Sequence, residues 1–228
     1  MKSEKVIVLL SGGLDSCVTT AIAHKNYDLY LLHVNYGHLT EAREKKAFLD
    51  IAKFYNVRKT LVIDIGYLKK IGGSSLTDTN IQISKTTHAG IPNTYVPFRN
   101  ANLLAIAVSW AEVIGAKKIF IGAMEEDSSG YPDCREIFFR SYNEMIKDGT
   151  KPETEISIET PILHKSKSEV VTIGKKLNAP MHLSWSCYTN SEKACGTCDS
   201  CRLRINAFQK AGFKDEIPYL KINNNITG

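Results

Sequence analysis

The 228-residue chain has no apolar run near the ~18 residues that a membrane span needs. Its first residues, Met1-Lys2-Ser3-Glu4-Lys5, are followed by only five apolar ones, too few for the core of a signal peptide. Both absences predict a soluble, cytoplasmic protein with no membrane partner. Internal repeats and low-complexity segments are also missing, and 43% hydrophobic with 23% charged residues excludes a disordered or collagen-like chain. There is no dense basic run beyond Lys165-Ser166-Lys167 and Lys175-Lys176, and 29 Lys and Arg against 24 Asp and Glu leave +5. That balance suits a small phosphate-bearing ligand as well as RNA and selects neither. Cysteine is scarce and uneven: Cys17 and Cys134 stand alone, whereas Cys187, Cys195, Cys198 and Cys201 fall together. In an intracellular chain such a group points to metal or catalysis rather than to a disulfide scaffold.

What is present is an alternation of short β-branched runs with longer helical stretches. Val6 to Leu10, Leu29 to Val34, Thr60 to Ile65 and Lys118 to Gly122 read as strands, and strand, helix, strand implies a parallel sheet covered on both faces. Ser16 to His24 reads as the first helix. Thr40 is placed to cap a second, with Ala47, Phe48, Ile51, Ala52 and Phe54 as its apolar stripe. Ala101 to Ala116 is apolar around most of a helix, which predicts cover on both sides. Residues 66–95, rich in Gly, Ser, Thr and Asn, read as a long loop above the sheet and a candidate lid. Glu155 to Ile162 reads as a further strand, and Ser166-Lys167-Ser168-Glu169 has capping-box spacing before a helix to about Leu177.

Between the first strand and first helix stands Leu10-Ser11-Gly12-Gly13-Leu14-Asp15-Ser16. Backbone N–H groups at a helix start surround an anion, so this is a phosphate site by position. It has neither the lysine of a Walker A loop nor the glycine spacing of a dinucleotide fingerprint. Near the other end, Cys187-x7-Cys195-x2-Cys198-x2-Cys201 places four soft ligands within fifteen residues, with Gly196 freeing the intervening turn. Four thiolates suit tetrahedral zinc; an iron–sulfur cluster takes the same set, and spacing does not separate the two. A closed zinc site has no open position for substrate and predicts a role in stability.

The glycine loop resembles the pyrophosphate-binding loop of the ATP pyrophosphatase superfamily, whose members activate a carboxylate, amide or carbonyl oxygen as an adenylate. That resemblance implies that Leu10, Ser11, Gly12, Gly13, Leu14, Asp15 and Ser16 surround ATP, with Ser11, Gly12, Gly13 and Ser16 on phosphate oxygens and Asp15 on magnesium. Four stretches together narrow the match: the loop itself; Tyr95-Val96-Pro97-Phe98-Arg99-Asn100; Ser129-Gly130-Tyr131-Pro132-Asp133-Cys134-Arg135; and Trp185-Ser186-Cys187-Tyr188 leading into the last three cysteines. This set resembles the 7-cyano-7-deazaguanine synthase family from about Lys5 to Gly212. The resemblance implies a doubly wound, mostly parallel, Rossmann-like α/β fold, with an ATP-binding domain over 1–180 and a small cysteine-bearing segment over 181–228. It implies a C–N-forming ligase of queuosine biosynthesis acting on 7-carboxy-7-deazaguanine, ammonium and ATP, with one structural zinc per chain on Cys187, Cys195, Cys198 and Cys201, and a homodimer. Two positions depart from the family pattern: Phe98 stands where a small residue is usual, and Asn35-Tyr36-Gly37-His38 where Asp-Tyr-Gly-Gln is usual.

Arg99, after Pro97, stands at the entrance to the central helix, where its fork can hold phosphate or carboxylate bidentately. Asn100 is a candidate N-cap. Asp133 is placed to accept from guanine-like N–H groups and Arg135 to face the carboxylate, so Asp15, Arg99, Asp133 and Arg135 are the candidate catalytic set. Cys134 is read as architectural. His33, His38 and His88 are unclustered in sequence and read as capping or solvated; Lys165 and Lys167 lie in reach of ATP phosphates but read more simply as solvated. The rival reading, a tRNA-thiolating relative with an iron–sulfur cluster, needs an RNA-binding face or domain for which little chain remains, so no stable nucleic-acid partner is expected.

Overall fold

The computed structural model describes residues 4–83, 90–125 and 130–220; His88 and Ser129, and part of the 66–95 segment, lie outside the described residues. Five strands, β1 (Lys5–Leu9), β2 (Asp28–Asn35), β3 (Thr60–Asp64), β4 (Lys118–Ile121) and β5 (Ser157–Glu159), form a wholly parallel sheet in the order β3-β2-β1-β4-β5. The helices are α1 (Leu14–His24), α2 (Glu41–Phe54), α3 (Tyr67–Ile71), α4 (Arg99–Ile114), α5 (Glu136–Gly149), α6 (Lys167–Lys176) and α7 (Asp199–Lys210). Because successive strand side chains alternate, β1 serves both faces. Val6, Val8 and Leu10 pack with Cys17 of α1 and Phe48, Ile51 and Ala52 of α2, while Ile7 and Leu9 pack with α4 and α5. This two-sided burial is why the strands read as apolar runs rather than alternating ones. Cys17, fully buried there, has its thiol pushed up to about 12 by desolvation, which makes it inert filler.

The structure departs from sequence expectation in four places. The strand read over Glu155–Ile162 contracts to three residues at the sheet edge, because Thr160 to Lys165 turn away to start α6. Thr40 stands at the N-cap of α2, but its hydroxyl donates to Glu44 Oε1 (3.1 Å) instead of accepting from the backbone, and Phe54 is exposed. The 66–95 segment contains α3 and buries Leu68, Ser74, Ser75, Leu76 and Thr77. Finally, α4 lays Ala101, Leu104, Ala107 and Ala111 on the sheet, and its far side is open in the single chain, with Val113 82% exposed.

The C-terminal part packs α7 against α6 and α1 through Leu14, Val18, Val170, Val171, Ala207 and Phe208. The sequence-read capping box is present: Ser166 Oγ accepts from the Glu169 N–H, and Glu169 accepts from the Ser166 N–H. Gly174 admits Met181, whose sulfur would sit 2.5 Å from a Cβ at that position. Arg204 is fully buried and bidentate on Asp215 (2.7 and 3.0 Å), and also donates to Ser184 Oγ and the Met181 carbonyl. Among the described residues, no helix is long and apolar enough to cross a membrane.

Candidate active site

Strands β1 and β4 are neighbours whose following helices, α1 and α5, lie on opposite faces of the sheet. At such a switch point the loops diverge and leave a crevice beyond the strand ends. Here it measures about 1260 Å³ and is lined by the Ser11–Ser16 loop, the ends of β2 and β4, the start of α4, and residues around the cysteine group.

The loop is shaped by close backbone approach. Gly12 has φ +94°, and a Cβ there would lie 2.5 Å from the Glu44 carbonyl oxygen of α2. Gly122, after β4, faces the first turn of α1 so closely that a Cβ would lie 2.9 Å from Asp15 C and Ser16 N. Ser11 Oγ accepts from the Gly13 N–H (3.2 Å) and lies 3.0 Å from Ser16 Oγ. No side chain caps α1, so its first amides keep their donors for an anion. Asp15 places Oδ2 2.5 Å from Lys167 Nζ, while Oδ1 is buried without a hydrogen-bond partner. A carboxylate half satisfied by a cation fits a hard metal on its other oxygen.

Behind the loop, buried His33 donates from Nδ1 to the Leu10 carbonyl (3.1 Å) and places Nε2 2.9 Å from the Asn35 amide. Desolvation holds this imidazole below the usual histidine range, so it is neutral at pH 7. Beside it, Tyr36 stacks on His38 (4.4 Å, 26°), whose Nε2 is 3.1 Å from Glu44 Oε2.

Across the crevice, Arg99 opens α4 after Phe98, which takes a left-handed conformation (φ +54°). Such a backbone favours glycine, so Phe98 holds a conformation that L side chains rarely adopt. Arg99 Nη1 donates to Tyr36 Oη (3.3 Å), its guanidinium lies 5.4 Å from that ring's centroid, and its Nε is buried without a partner. Desolvation opposes the charge, but Tyr36, Cys134, Asp133 and Tyr131 around it outweigh that and hold the guanidinium cationic. Burial pushes the Tyr36 phenol up to about 12.

Asn100 is not an N-cap. It is buried one residue inside α4, and it clamps the 131–135 turn: its backbone N–H donates to Asp133 Oδ2 (2.8 Å), its Nδ2 to the Asp133 carbonyl (2.9 Å) and to Cys134 Sγ (3.2 Å). Asp133 therefore caps α4 from 33 positions away, with one carboxylate oxygen already engaged there, and burial raises its pKa against these hydrogen bonds. Arg135 is exposed, donates from Nε to the Pro132 carbonyl, and does not line the crevice. Of the four candidate catalytic residues, the crevice thus gathers Asp15 and Arg99; Asp133 lies behind its wall and Arg135 outside it. Lys165 pairs loosely with Glu169 at the surface (3.8 Å), whereas Lys167 lines the crevice beside Asp15.

The four clustered cysteines place their sulfurs within 4.8 Å of one another and could hold a metal ion. Backbone N–H groups of Asn190 and Cys195 point at Cys187 Sγ, and those of Thr197 and Cys198 at Cys195 Sγ (3.3–3.4 Å). Without a cation the four sulfurs cannot all ionise: thiol hydrogen bonds push Cys187 down, and the same crowding pushes Cys201 up. A dication resolves that conflict. This segment also touches the loop directly, since the Trp185 N–H donates to the Gly12 carbonyl (2.8 Å) and Arg43 stacks over the Trp185 ring (4.3 Å). Sequence reasoning missed the crevice positions of Tyr36, His38, Tyr131 and Tyr188. The Ser166 cap was the signal that could have found Lys167, since it fixes Lys167 as the first residue of α6.

Residues 5–212 match the family model described as queuosine biosynthesis protein QueC. A relative from Chloroherpeton thalassium named 7-cyano-7-deazaguanine synthase is 56% identical over 218 residues, covering 94% of this chain and 96% of its own. One of the same name from Chlorobium chlorochromatii is 55% identical over 219 residues, with the same coverage. A solved structure from Methanocaldococcus jannaschii, described as a predicted subunit of tRNA methyltransferase, has a TM-score of 0.50 at 15% identity, covering 96% of this chain and 94% of that one. The last likeness is one of fold.

Proposed function

The chain belongs to the QueC family of queuosine biosynthesis proteins, and from that premise we propose that it converts 7-carboxy-7-deazaguanine, ammonia and ATP to 7-cyano-7-deazaguanine in the crevice at the β1/β4 switch point. The observation that carries this reading is the uncapped start of α1, with half-satisfied Asp15 beside it, in the same crevice as Arg99.

The Ser11 and Ser16 hydroxyls and the amides from Gly12 to Ser16 grip the β and γ phosphates as a leaving unit. No lysine in the loop draws transfer to the γ phosphorus, so the α phosphorus is left open. A substrate carboxylate oxygen attacks it, the bond to pyrophosphate breaks, and an acyl adenylate forms. Ammonia adds to the acyl carbon, AMP leaves with the carbon–oxygen bond pair, and the nitrogen loses a proton to give the amide. A second ATP takes the amide oxygen in the same way. Loss of AMP and the remaining N–H protons then closes the nitrile, for two AMP and two pyrophosphate in all. Asp15, through Oδ1, would hold magnesium, which neutralises phosphate charge when bound. Lys167 orients Asp15 and adds positive charge beside the loop.

Cys187, Cys195, Cys198 and Cys201 hold one zinc per chain, which ties the turns around Trp185 and the start of α7 together. In this reading residues 1–180 are the ATP-binding domain, 181–228 the zinc segment and 66–95 the lid. The open face of α4 around Val113 pairs two chains into a homodimer working in the cytoplasm on free ammonium. Mass analysis after incubation with ATP, magnesium, ammonium and the carboxylic acid tests the reaction. A nitrile product with AMP is expected; ADP and orthophosphate formed at the rate of nitrile would refute the bond cleavage, and no nitrile would refute the activity.

A further inference from the structure

Drug-sized ligands occupy pockets of ~300–1,000 Å³, so a crevice of about 1260 Å³ has room for a second ligand beside the nucleotide. Away from Asp15 and Lys167 it carries a second group of side chains. Tyr36 comes from just beyond β2, Tyr131 from the turn before α5, and Tyr188 from beside the thiol cluster, and all three line the crevice with Arg99. The Arg99 guanidinium lies 5.4 Å from the Tyr36 ring centroid, and all four side chains line the same crevice, so they form one group. Two of the phenols are held in place: Tyr131 Oη is 2.6 Å from Thr94 Oγ1, and Tyr36 Oη accepts from Arg99.

Arg99 uses one donor on Tyr36 and keeps its buried Nε without a hydrogen-bond partner. A guanidinium with unused donors among phenol rings is suited to a flat anion, because a carboxylate takes two parallel N–H bonds and an attached ring meets the aromatic faces. A triphosphate needs no such rings. Resting on the function proposed above, we infer that Arg99 binds the carboxylate of the planar heteroaromatic acid and not the phosphates of ATP, and that Tyr36, Tyr131 and Tyr188 enclose its ring. Tyr188 is then a specificity residue supplied by the cysteine-bearing segment, directly after the first thiol.

Calorimetric titration of 7-carboxy-7-deazaguanine, with and without a non-hydrolysable ATP analogue, and of that analogue alone, tests this on wild type, Arg99→Gln, Tyr188→Leu and Tyr188→Phe. Arg99→Gln and Tyr188→Leu are expected to weaken the acid by about tenfold or more while leaving the nucleotide within about twofold, and Tyr188→Phe to keep the acid. If Arg99→Gln does not fold by circular dichroism, Arg99→Lys, which retains charge without the fork, should still weaken the acid selectively. Nucleotide binding weakened as much as acid binding, or acid binding unchanged, overturns the assignment. A wild type that binds the acid selectively through these residues yet makes no nitrile would sink the proposed reaction and leave this subsite standing. A wild type that makes nitrile while its variants bind acid normally would do the reverse.

Discussion

The two walls of the crevice are held by different physics. On the phosphate side, Gly12 and Gly122 let α2, α1 and β4 touch backbone to backbone, and buried His33 fastens the Leu10 carbonyl. Steric fit and neutral hydrogen bonds suffice there. On the other side, Trp185, Tyr188 and α7 depend on four crowded thiols and on one buried ion pair, Arg204 with Asp215. The first wall is set by backbone fit, whereas the second gathers four thiols that could hold a metal ion and a buried pair that needs charge balance. The four-thiol group is thus not remote from the crevice: the Trp185–Gly12 bond and Tyr188 join the two.

Cys198→Ser breaks the comparison most severely. Removing one ligand of a closed site should release the metal and lower stability by on the order of 5 kcal/mol. Metal analysis with thermal denaturation checks it, and crevice binding should fall because Tyr188 loses its anchor. A stable variant with normal metal content and no activity would contradict the structural role. Next comes Asp215→Ala, which leaves Arg204 as a buried, unpaired cation and should cost ~3–5 kcal/mol by denaturant titration. Replacing both partners with apolar residues should recover much of that loss; if it does not, the pair does more than balance charge.

On the phosphate wall, Asp15→Asn should leave fold and metal content intact, since its partner Lys167 is only half-buried. Activity should fall by ~10²–10³, about 2.7–4 kcal/mol of barrier, as charge neutralisation at the leaving pyrophosphate weakens. Steady-state assay of AMP release with circular dichroism separates the two effects, and activity near wild type would remove Asp15 from the site.

What could be read in advance follows the same division. The Ser166 box is local, with cap and N3 residue acting on each other three positions apart, so its sequence carries its structure, and the glycine loop is legible as a short contiguous string although Gly12 meets α2 at Glu44. The clamp of Asn100 on Asp133 spans 33 positions and the Asp15–Lys167 pair spans 152, and no local pattern encodes either. For that reason Asn100 read as a cap and Lys167 as a solvated lysine. The far side of α4 is a different case: periodicity shows that a face is apolar, not what covers it.

The smallest effect expected is a pH dependence that belongs to the phosphate wall. His33 is buried between the Leu10 carbonyl and Asn35, stacked on Phe48 (5.0 Å), with Glu44 and His38 acting on it electrostatically. Its folded pKa lies below the usual value, so as pH falls past ~6.5 the unfolded chain binds a proton that the folded chain refuses. Stability from this site is therefore complete above about pH 7 and declines below it, by at most ~1.4 kcal/mol per pH unit, until the folded pKa is reached. The other histidines contribute slopes of their own, so the measurement is a difference. His33→Gln, which keeps an amide donor for Leu10, should flatten the fall in melting temperature between pH 7 and 5 relative to wild type. Asn35→Asp should flatten it by another route, because a carboxylate at Nε2 stabilises the imidazolium in place. Identical pH profiles for wild type and both variants would mean that the Leu10 carbonyl is not held by a neutral imidazole, and the phosphate wall would then depend on charge as its opposite does.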